Sequence, residues 1–121
     1  MRDEVMIRIY GLKNCDTCRA ALKWLVAEGL DHRFVDVRKD GVDVSEITTW
    51  VAALGWETLL NRRGTKWRGL SDVDKENIDG GKAIKLMMTH PVLIKRPVFH
   101  ADGTYLVGFK GDQKATLAAG R

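Results

Sequence analysis

The chain has 121 residues, 45% of them hydrophobic and 30% charged, which is the composition of one ordinary globular domain. No apolar run approaches the roughly 20 residues that cross a bilayer. The opening MRDEVMIRIY also lacks the apolar stretch of a secretory signal, so a cytoplasmic location without membrane binding is expected. The net charge of +4 favours anionic partners, but it is too diffuse to indicate direct binding of nucleic acid.

The first part of the chain has the pattern strand, helix, strand. Residues 5–10 (VMIRIY) are rich in β-branched and aromatic side chains, and residues 32–37 (HRFVDV) alternate well enough for a second strand. Between them, apolar residues recur at helical spacing from Asp16 to Glu28, and Gly29 ends the helix. A β-α-β order predicts two parallel strands joined by a right-handed crossover.

The middle of the chain, about residues 43–90, is predicted to be helical. One helix is expected to begin with a cap near Ser45 and to end at Gly55. Three further helical segments are predicted, the first of them short and running into a basic loop: WETLLNRRG, SDVDKENI and GKAIKLMMTH.

The last part returns to strands. Residues 92–109 (VLIKRPVFHADGTYLVGF) are predicted to form two strands joined by the ADGT turn, and GDQKATLAAG is predicted to be a final helix. The order β-α-β, helical insertion, β-β-α is that of an α/β, thioredoxin-like fold that carries a helical subdomain. We therefore predict a single domain over residues 1–121.

Both cysteines of the chain lie in the stretch NCDTCRAALKWL. Cys15 lies between a predicted strand and a predicted helix, where unpaired N–H groups and the helix dipole favour a thiolate. Cys18, one turn later on the same face, is a candidate resolving cysteine. Lys13 and Arg19 flank the pair and should favour the anion further, whereas Asp16 should oppose it.

A zinc site and a structural disulfide are the alternatives for this pair. A structural zinc site needs four ligands, but there is no second Cys-x-x-Cys, and His90 and His100 do not have the spacing of a zinc finger. A disulfide between residues three apart closes a very small loop and would not persist in a reducing cytoplasm. A reactive dithiol without a metal is therefore the favoured interpretation.

Several motifs together resemble the ArsC family of thioredoxin-fold proteins, most closely its YffB branch, over nearly the whole chain: IYGLKNCDTCRAALKWL, LGWETLLNRRGTKWR, VLIKRPV and LVGF. The resemblance implies that Cys15 is the nucleophile. It also implies that Arg63 and Arg96 bind an anionic substrate and that Pro97 is the cis-proline that faces the reactive cysteine. Guanidinium groups suit these roles because they bind oxyanions bidentately and favour a thiolate.

The same resemblance implies a thiol-disulfide oxidoreductase, since YffB-like proteins are proposed to be glutathione-dependent thiol reductases. No bound cofactor is expected; glutathione is the expected co-substrate, with a small redoxin as another possible donor. The arsenate reductases of the family carry a histidine shortly before the nucleophile, which GLKN lacks. They also use a third arginine where this chain has Lys110, so arsenate is not the expected substrate.

A second branch of the family provides the main alternative function. Cys18 makes the Cys-x-x-Cys segment resemble Spx, whose dithiol is a redox switch and which binds the RNA polymerase α subunit. Beyond residue 55 the chain is more similar to YffB than to Spx. A redox-sensing regulator that binds the polymerase α subunit and a true arsenate reductase therefore remain as alternatives.

Overall fold

The computed structural model describes residues 6–120. Residues 6–36 and 96–120 form one compact unit, the sheet unit, and residues 37–95 form another, the helical unit. The single domain expected for the chain stays a prediction. None of the helices between residues 6 and 120 is long and apolar enough to span a membrane.

The elements follow one another in nearly the order that the sequence predicts. They are β1 (Ile7–Gly11), α1 (Asp16–Ala27), β2 (His32–Asp36), α2 (Val44–Leu54), α3 (Trp56–Leu59), α4 (Thr65–Arg68), α5 (Asp72–Lys75), α6 (Gly80–Thr89), a 3-10 helix (Pro91–Leu93), β3 (Val98–Ala101), β4 (Thr104–Val107) and α7 (Gly111–Ala119). Val5, which was expected to begin the first strand, lies outside the described residues.

The sheet unit contains a four-stranded mixed sheet in the order β2-β1-β3-β4. Strand β1 is parallel to β2 and antiparallel to β3, and β3 is antiparallel to β4. Parallel pairing of β1 and β2 requires the crossover that α1 provides. The α/β, thioredoxin-like fold expected from the sequence is confirmed by this topology.

One face of the sheet forms the core of the sheet unit. Because side chains alternate along a strand, Ile7 and Ile9 of β1 lie on the same face as Phe99, the β3 residue that pairs with Ile9. These side chains form a buried cluster with Leu25 of α1 and Leu117 of α7. The apolar stripe of α1, which periodicity predicts, is thus the surface that attaches the cysteine-bearing helix to the sheet.

The helical unit is built around α2, which packs against α6 and α3. Ile47 and Trp50 of α2 and Met87 of α6 are almost completely buried. The predicted cap at Ser45 is wrong, because α2 already begins at Val44, and the N–H of its N-cap residue Asp43 donates to Glu46 Oε1 at 3.1 Å. An acidic residue three positions after the N-cap is the signature of this arrangement.

The segment between α3 and α4 differs from the prediction of one helix followed by a loop. Helix α3 ends at Leu59 because Leu60 adopts an extended conformation and forms an antiparallel bridge with Ile94. The Asn61 N–H donates to the Leu93 carbonyl at 2.7 Å on one side of this bridge. After three further residues, Thr65–Arg68 form the short helix α4 within the expected loop.

Of the two strands predicted over residues 92–109, the first begins later than expected, since Pro91–Leu93 form a 3-10 helix and β3 begins only at Val98. Proline has no N–H and a fixed φ, which suits the first turn of a helix. Pro97 likewise has no donor for a strand ladder, so sheet pairing starts after it. The described helix of SDVDKENI is shorter than expected and spans Asp72–Lys75.

Neighbouring residues of α1 test which face of this helix stabilises the fold. Leu25 is completely buried, whereas Val26 is 69% exposed. We expect Leu25→Ala to lower the free energy of unfolding by about 2–5 kcal/mol, because it leaves a cavity in the core. Val26→Ala should change it by no more than about 0.5 kcal/mol. Urea unfolding followed by circular dichroism measures both; equal effects would contradict the described orientation of α1.

Candidate active site

Cys15 lies at the junction between β1 and α1, as the sequence predicts. It is the N-cap residue of α1, with an extended backbone (φ −107°, ψ 119°) and a half-buried side chain. Its N–H donates to the Leu12 carbonyl at 3.3 Å, and its own carbonyl accepts the first helical hydrogen bond from the Arg19 N–H at 2.9 Å. The Cys15 sulfur is therefore held at the end of the helix where the backbone dipoles favour negative charge.

Cys18 lies one turn further along α1 and is completely buried. Its Sγ occupies the space next to Gly11, where a Cβ would overlap the sulfur. The absence of a side chain at Gly11 therefore makes room for the second thiol. A glycine four residues before the Cys-x-x-Cys pair is the sequence signal that could have indicated this close approach.

The two thiols differ in their tendency to ionise. Partial burial acts to raise the pKa of Cys15, but hydrogen bonding from Cys18 and from Arg96, together with the Arg96 charge, outweighs it and lowers the pKa below the ordinary value. The Cys15 side chain itself forms no regular N-cap hydrogen bond at the start of α1. Cys15 is thus the thiol that is prepared to act as a thiolate.

Cys18 has the opposite character. Burial, joined by the hydrogen bond and the negative charge of Cys15, raises its pKa from 9.0 to about 12, although the Leu12 backbone and the Arg96 charge act against this. A thiol with this pKa is almost fully protonated at neutral pH. In the reduced protein it is therefore a hydrogen-bond partner of Cys15 rather than a second nucleophile.

The segment that carries Arg96 also belongs to the sheet unit. The Arg96–Pro97 peptide bond is cis, in agreement with the proline that the family resemblance implied. Arg96 is half-buried and Pro97 is buried. The Pro97 carbonyl accepts a hydrogen bond from the Gly108 N–H at 2.8 Å, which ties the segment to the end of β4.

The remaining predicted cations near the dithiol have other contacts. Arg19 is exposed; it forms an ion pair with Asp16 and donates to the Lys13 carbonyl at 3.4 Å. The arginine that lowers the pKa of Cys15 is therefore Arg96, and not the flanking Arg19 that charge proximity in the sequence favoured. Lys13 is exposed as well.

Lys110 lies at the start of α7 and is exposed. Its N–H donates to Gln113 Oε1 at 2.8 Å, and Gln113 Nε2 donates to the Val107 carbonyl at 3.0 Å. One carboxamide thus fixes the turn that carries this cation.

Arg63 belongs to the helical unit, where its side chain is exposed. Its backbone N–H donates to Asn61 Oδ1 at 3.0 Å, and its carbonyl accepts a hydrogen bond from the Arg68 guanidinium. The structure thus brings Cys15, Cys18 and Arg96 together in one unit, whereas Arg63 comes from the other. Over residues 6–120 no three His, Cys, Asp or Glu side chains are grouped to hold a metal ion.

A cysteine at a helix start, an arginine next to a cis-proline and this order of strands are together typical of a thioredoxin-like fold. The model of the ArsC family matches residues 10–117, nearly the whole chain. The protein therefore belongs to the ArsC family.

Relatives of known sequence or structure agree with this assignment. A solved structure of a protein called YffB is 41% identical, covers 93% of this chain and 98% of its own, and superposes with a TM-score of 0.89. An arsenate reductase-related protein of Brucella melitensis is 39% identical over 96% of this chain and 97% of its own, with a TM-score of 0.76. An uncharacterised protein of Haemophilus influenzae is 42% identical over 86% of this chain and 91% of its own.

A more distant relative carries the name of a regulator. The global transcriptional regulator Spx 2 of Bacillus anthracis is 21% identical over 89% of this chain and 83% of its own length. This chain is thus similar both to an arsenate reductase-related protein and to a protein named as a regulator.

Replacing Arg96 tests the source of the low pKa of Cys15. Arg96→Met should raise the pKa of Cys15, because the variant loses a hydrogen bond to the thiolate and a positive charge beside it. The pH dependence of iodoacetamide alkylation, followed by mass spectrometry, measures this change. Arg19→Met is the matched control and should have a smaller effect, since Arg19 is paired with Asp16. A larger rise in Arg19→Met would contradict the described geometry.

The pKa of Cys18 predicts a pH dependence of stability. A thiol whose pKa rises from 9.0 to about 12 on folding stabilises the folded state below pH 9. That contribution is lost as the pH rises from 9 towards 12. Between about pH 9 and about pH 10.5, the free energy of unfolding of the reduced protein should therefore fall more steeply than that of Cys18→Ala. Urea unfolding at a series of pH values measures both free energies. If they changed equally with pH in the two proteins, the effect of Cys18 burial would be ruled out.

Proposed function

We propose that the protein is a glutathione-dependent thiol reductase in which Cys15 is the nucleophile. The observation that supports this proposal is the unequal character of the two thiols, which lie one turn apart on α1. Cys15 is partly accessible, interacts with Arg96 and has a lowered pKa, whereas Cys18 is buried with a pKa of about 12. One accessible thiolate beside one protonated thiol suits a disulfide exchange that starts at a single sulfur.

The first step is attack by the Cys15 thiolate on a mixed disulfide between a substrate thiol and glutathione. The attack is directed at the glutathione sulfur. A bond forms between Cys15 and that sulfur, the original S–S bond breaks, and the substrate thiolate leaves with the electron pair and takes a proton from solvent. Arg96, which stabilises the Cys15 thiolate, is released from that charge when the new bond forms.

The second step has two routes. In one, Cys18 loses its proton and displaces the glutathione thiolate, which leaves a disulfide between Cys15 and Cys18. In the mixed disulfide Cys15 carries no negative charge, which removes one of the causes that raise the pKa of Cys18. Cys18 therefore loses its proton more easily once the mixed disulfide has formed. Two glutathione molecules, or one dithiol of a small redoxin, then reduce the disulfide. In the other route, a second glutathione attacks the mixed disulfide at Cys15 directly and releases oxidised glutathione.

The basic residues would bind the carboxylates of glutathione or another anionic substrate. Arg63 and Arg96 are the proposed main contacts because guanidinium groups bind carboxylates bidentately. Arg19, Lys13 and Lys110 would add positive charge, and Pro97 would border the substrate disulfide. No bound cofactor, nucleic acid or membrane is part of this proposal, and the reaction would take place in the cytoplasm.

Serine substitution of each cysteine tests the mechanism with a glutathione mixed disulfide as substrate. Cys15→Ser should abolish turnover, because an alcohol at this position is not ionised. Cys18→Ser should retain activity whenever glutathione resolves the intermediate itself. Both rates are measured by coupling the release of oxidised glutathione to glutathione reductase and NADPH. Full activity of Cys15→Ser would disprove the proposed nucleophile.

The second candidate function is a redox-sensing regulator that binds the RNA polymerase α subunit. The observation that favours it is the Cys-x-x-Cys pair itself, together with the similarity to Spx 2. It predicts no turnover, and a complex with the α subunit that changes with the oxidation state of the dithiol. A pull-down with purified α subunit under oxidising and reducing conditions separates the two functions. Arsenate in place of the mixed disulfide in the turnover assay tests the remaining alternative, a true arsenate reductase.

A further inference from the structure

The segment of residues 61–69 (NRRGTKWRG), here called the basic loop, contains four cationic residues and no acidic one. Two of the four have defined contacts. The Arg62 guanidinium lies over the Trp56 ring, 5.3 Å from its centroid. The Arg68 guanidinium donates to the Arg63 carbonyl and, at 3.5 Å, to Thr65 Oγ1. These two arginines therefore have structural contacts within the helical unit, although their charges are the same as those of the other two.

Both backbone polar groups of Arg63 are held by side chains of the basic loop. On one side, the Arg63 N–H donates to Asn61 Oδ1 at 3.0 Å. On the other side, the Arg63 carbonyl accepts from Arg68. The loop also packs closely around the Asn61 amide, because a Cβ at Gly64 would lie 3.0 Å from Asn61 Nδ2. The backbone of Arg63 is thus fixed before and after its Cα.

These hydrogen bonds are not needed to satisfy buried groups. Arg63 and Arg68 are both exposed, and water can satisfy an exposed carbonyl or N–H at little cost. An arginine that binds a backbone carbonyl also gives up rotamer freedom. The consequence of the arrangement is therefore geometric: it fixes the direction in which the Arg63 side chain leaves the backbone.

We propose that Arg68, together with Asn61, is a positioning residue that holds Arg63 for bidentate binding of a carboxylate-bearing substrate of the glutathione type. This inference depends on the proposed function, in which Arg63 binds the anionic substrate. A guanidinium fork gains its full binding energy only when both N–H groups reach both oxygens. Because the backbone of Arg63 is already fixed, less conformational entropy is lost when the side chain binds the carboxylate.

The experiment compares Arg68→Met with Arg62→Met, since both variants remove one guanidinium from the same loop but only the first loses the contact to Arg63. The probe is S-methylglutathione, which carries the carboxylates of glutathione but has no thiol to exchange. It is titrated into the full-length reduced protein at constant ionic strength and followed by NMR. We expect Arg68→Met to raise the Kd roughly 10-fold and Arg62→Met to raise it less than about twofold.

Hydrogen exchange of the Arg63 amide separates positioning from direct binding. Arg68→Met and Asn61→Ala should both accelerate this exchange in the absence of the probe, whereas Arg62→Met should not. Arg68→Lys keeps the charge with fewer donors, so it should restore binding only in part. Weaker binding with unchanged exchange would mean that Arg68 contacts the ligand itself, and equal Kd changes in Arg68→Met and Arg62→Met would mean a charge effect; either result overturns the positioning role.

The same variants distinguish failure of this inference from failure of the proposed function. If the wild-type protein binds the probe and turns over the glutathione mixed disulfide, but Arg68→Met behaves like Arg62→Met, only the positioning role is wrong. If the wild-type protein neither binds the probe nor turns over the substrate, the proposed function fails, and the positioning role fails with it.

Discussion

The chemistry proposed for this protein depends on the interaction between the Cys15 sulfur and Arg96. Burial by itself would raise the pKa of Cys15, and the protein reverses that effect with hydrogen bonds and one positive charge. The two partners come from different parts of the sheet unit, one from the start of α1 and the other from the segment before β3. Their meeting requires the central pairing of β1 with β3, which brings the ends of both segments to the same region of the sheet.

The same sheet pairing explains why the second thiol differs from the first. Cys18 is on the buried face of α1, and its sulfur fits only because Gly11, the last residue of β1, has no side chain. Close contact between the helix and the strand therefore removes Cys18 from water and holds its proton. Burial of one thiol and electrostatic support of the other are two results of one packing arrangement, in which α1 is pressed against β1 through Leu25.

The helical unit adds a second, separately organised feature. Its basic loop concentrates positive charge, and side chains of the loop itself fix the backbone of Arg63. The turn before α7 shows a related device, in which the Gln113 carboxamide ties the backbone of Lys110 to Val107. In both places a cation predicted to meet an anionic substrate is exposed, while the backbone beneath it is held by a neighbouring polar side chain. Pre-organisation of this kind favours binding because less freedom is lost when the ligand arrives.

The sequence by itself determined the features that depend on local rules: the apolar periodicity of α1, the alternation of the strands, the position of Cys15 at a helix start, and the order of elements typical of a thioredoxin-like fold. It did not determine that Leu60 would pair with Ile94 and end α3 early. Only the tertiary structure decided that Arg96 rather than Arg19 supports the thiolate. The physical reason is that these contacts join residues far apart in the chain, and spacing along the sequence carries no information about which distant groups the folded sheet brings together.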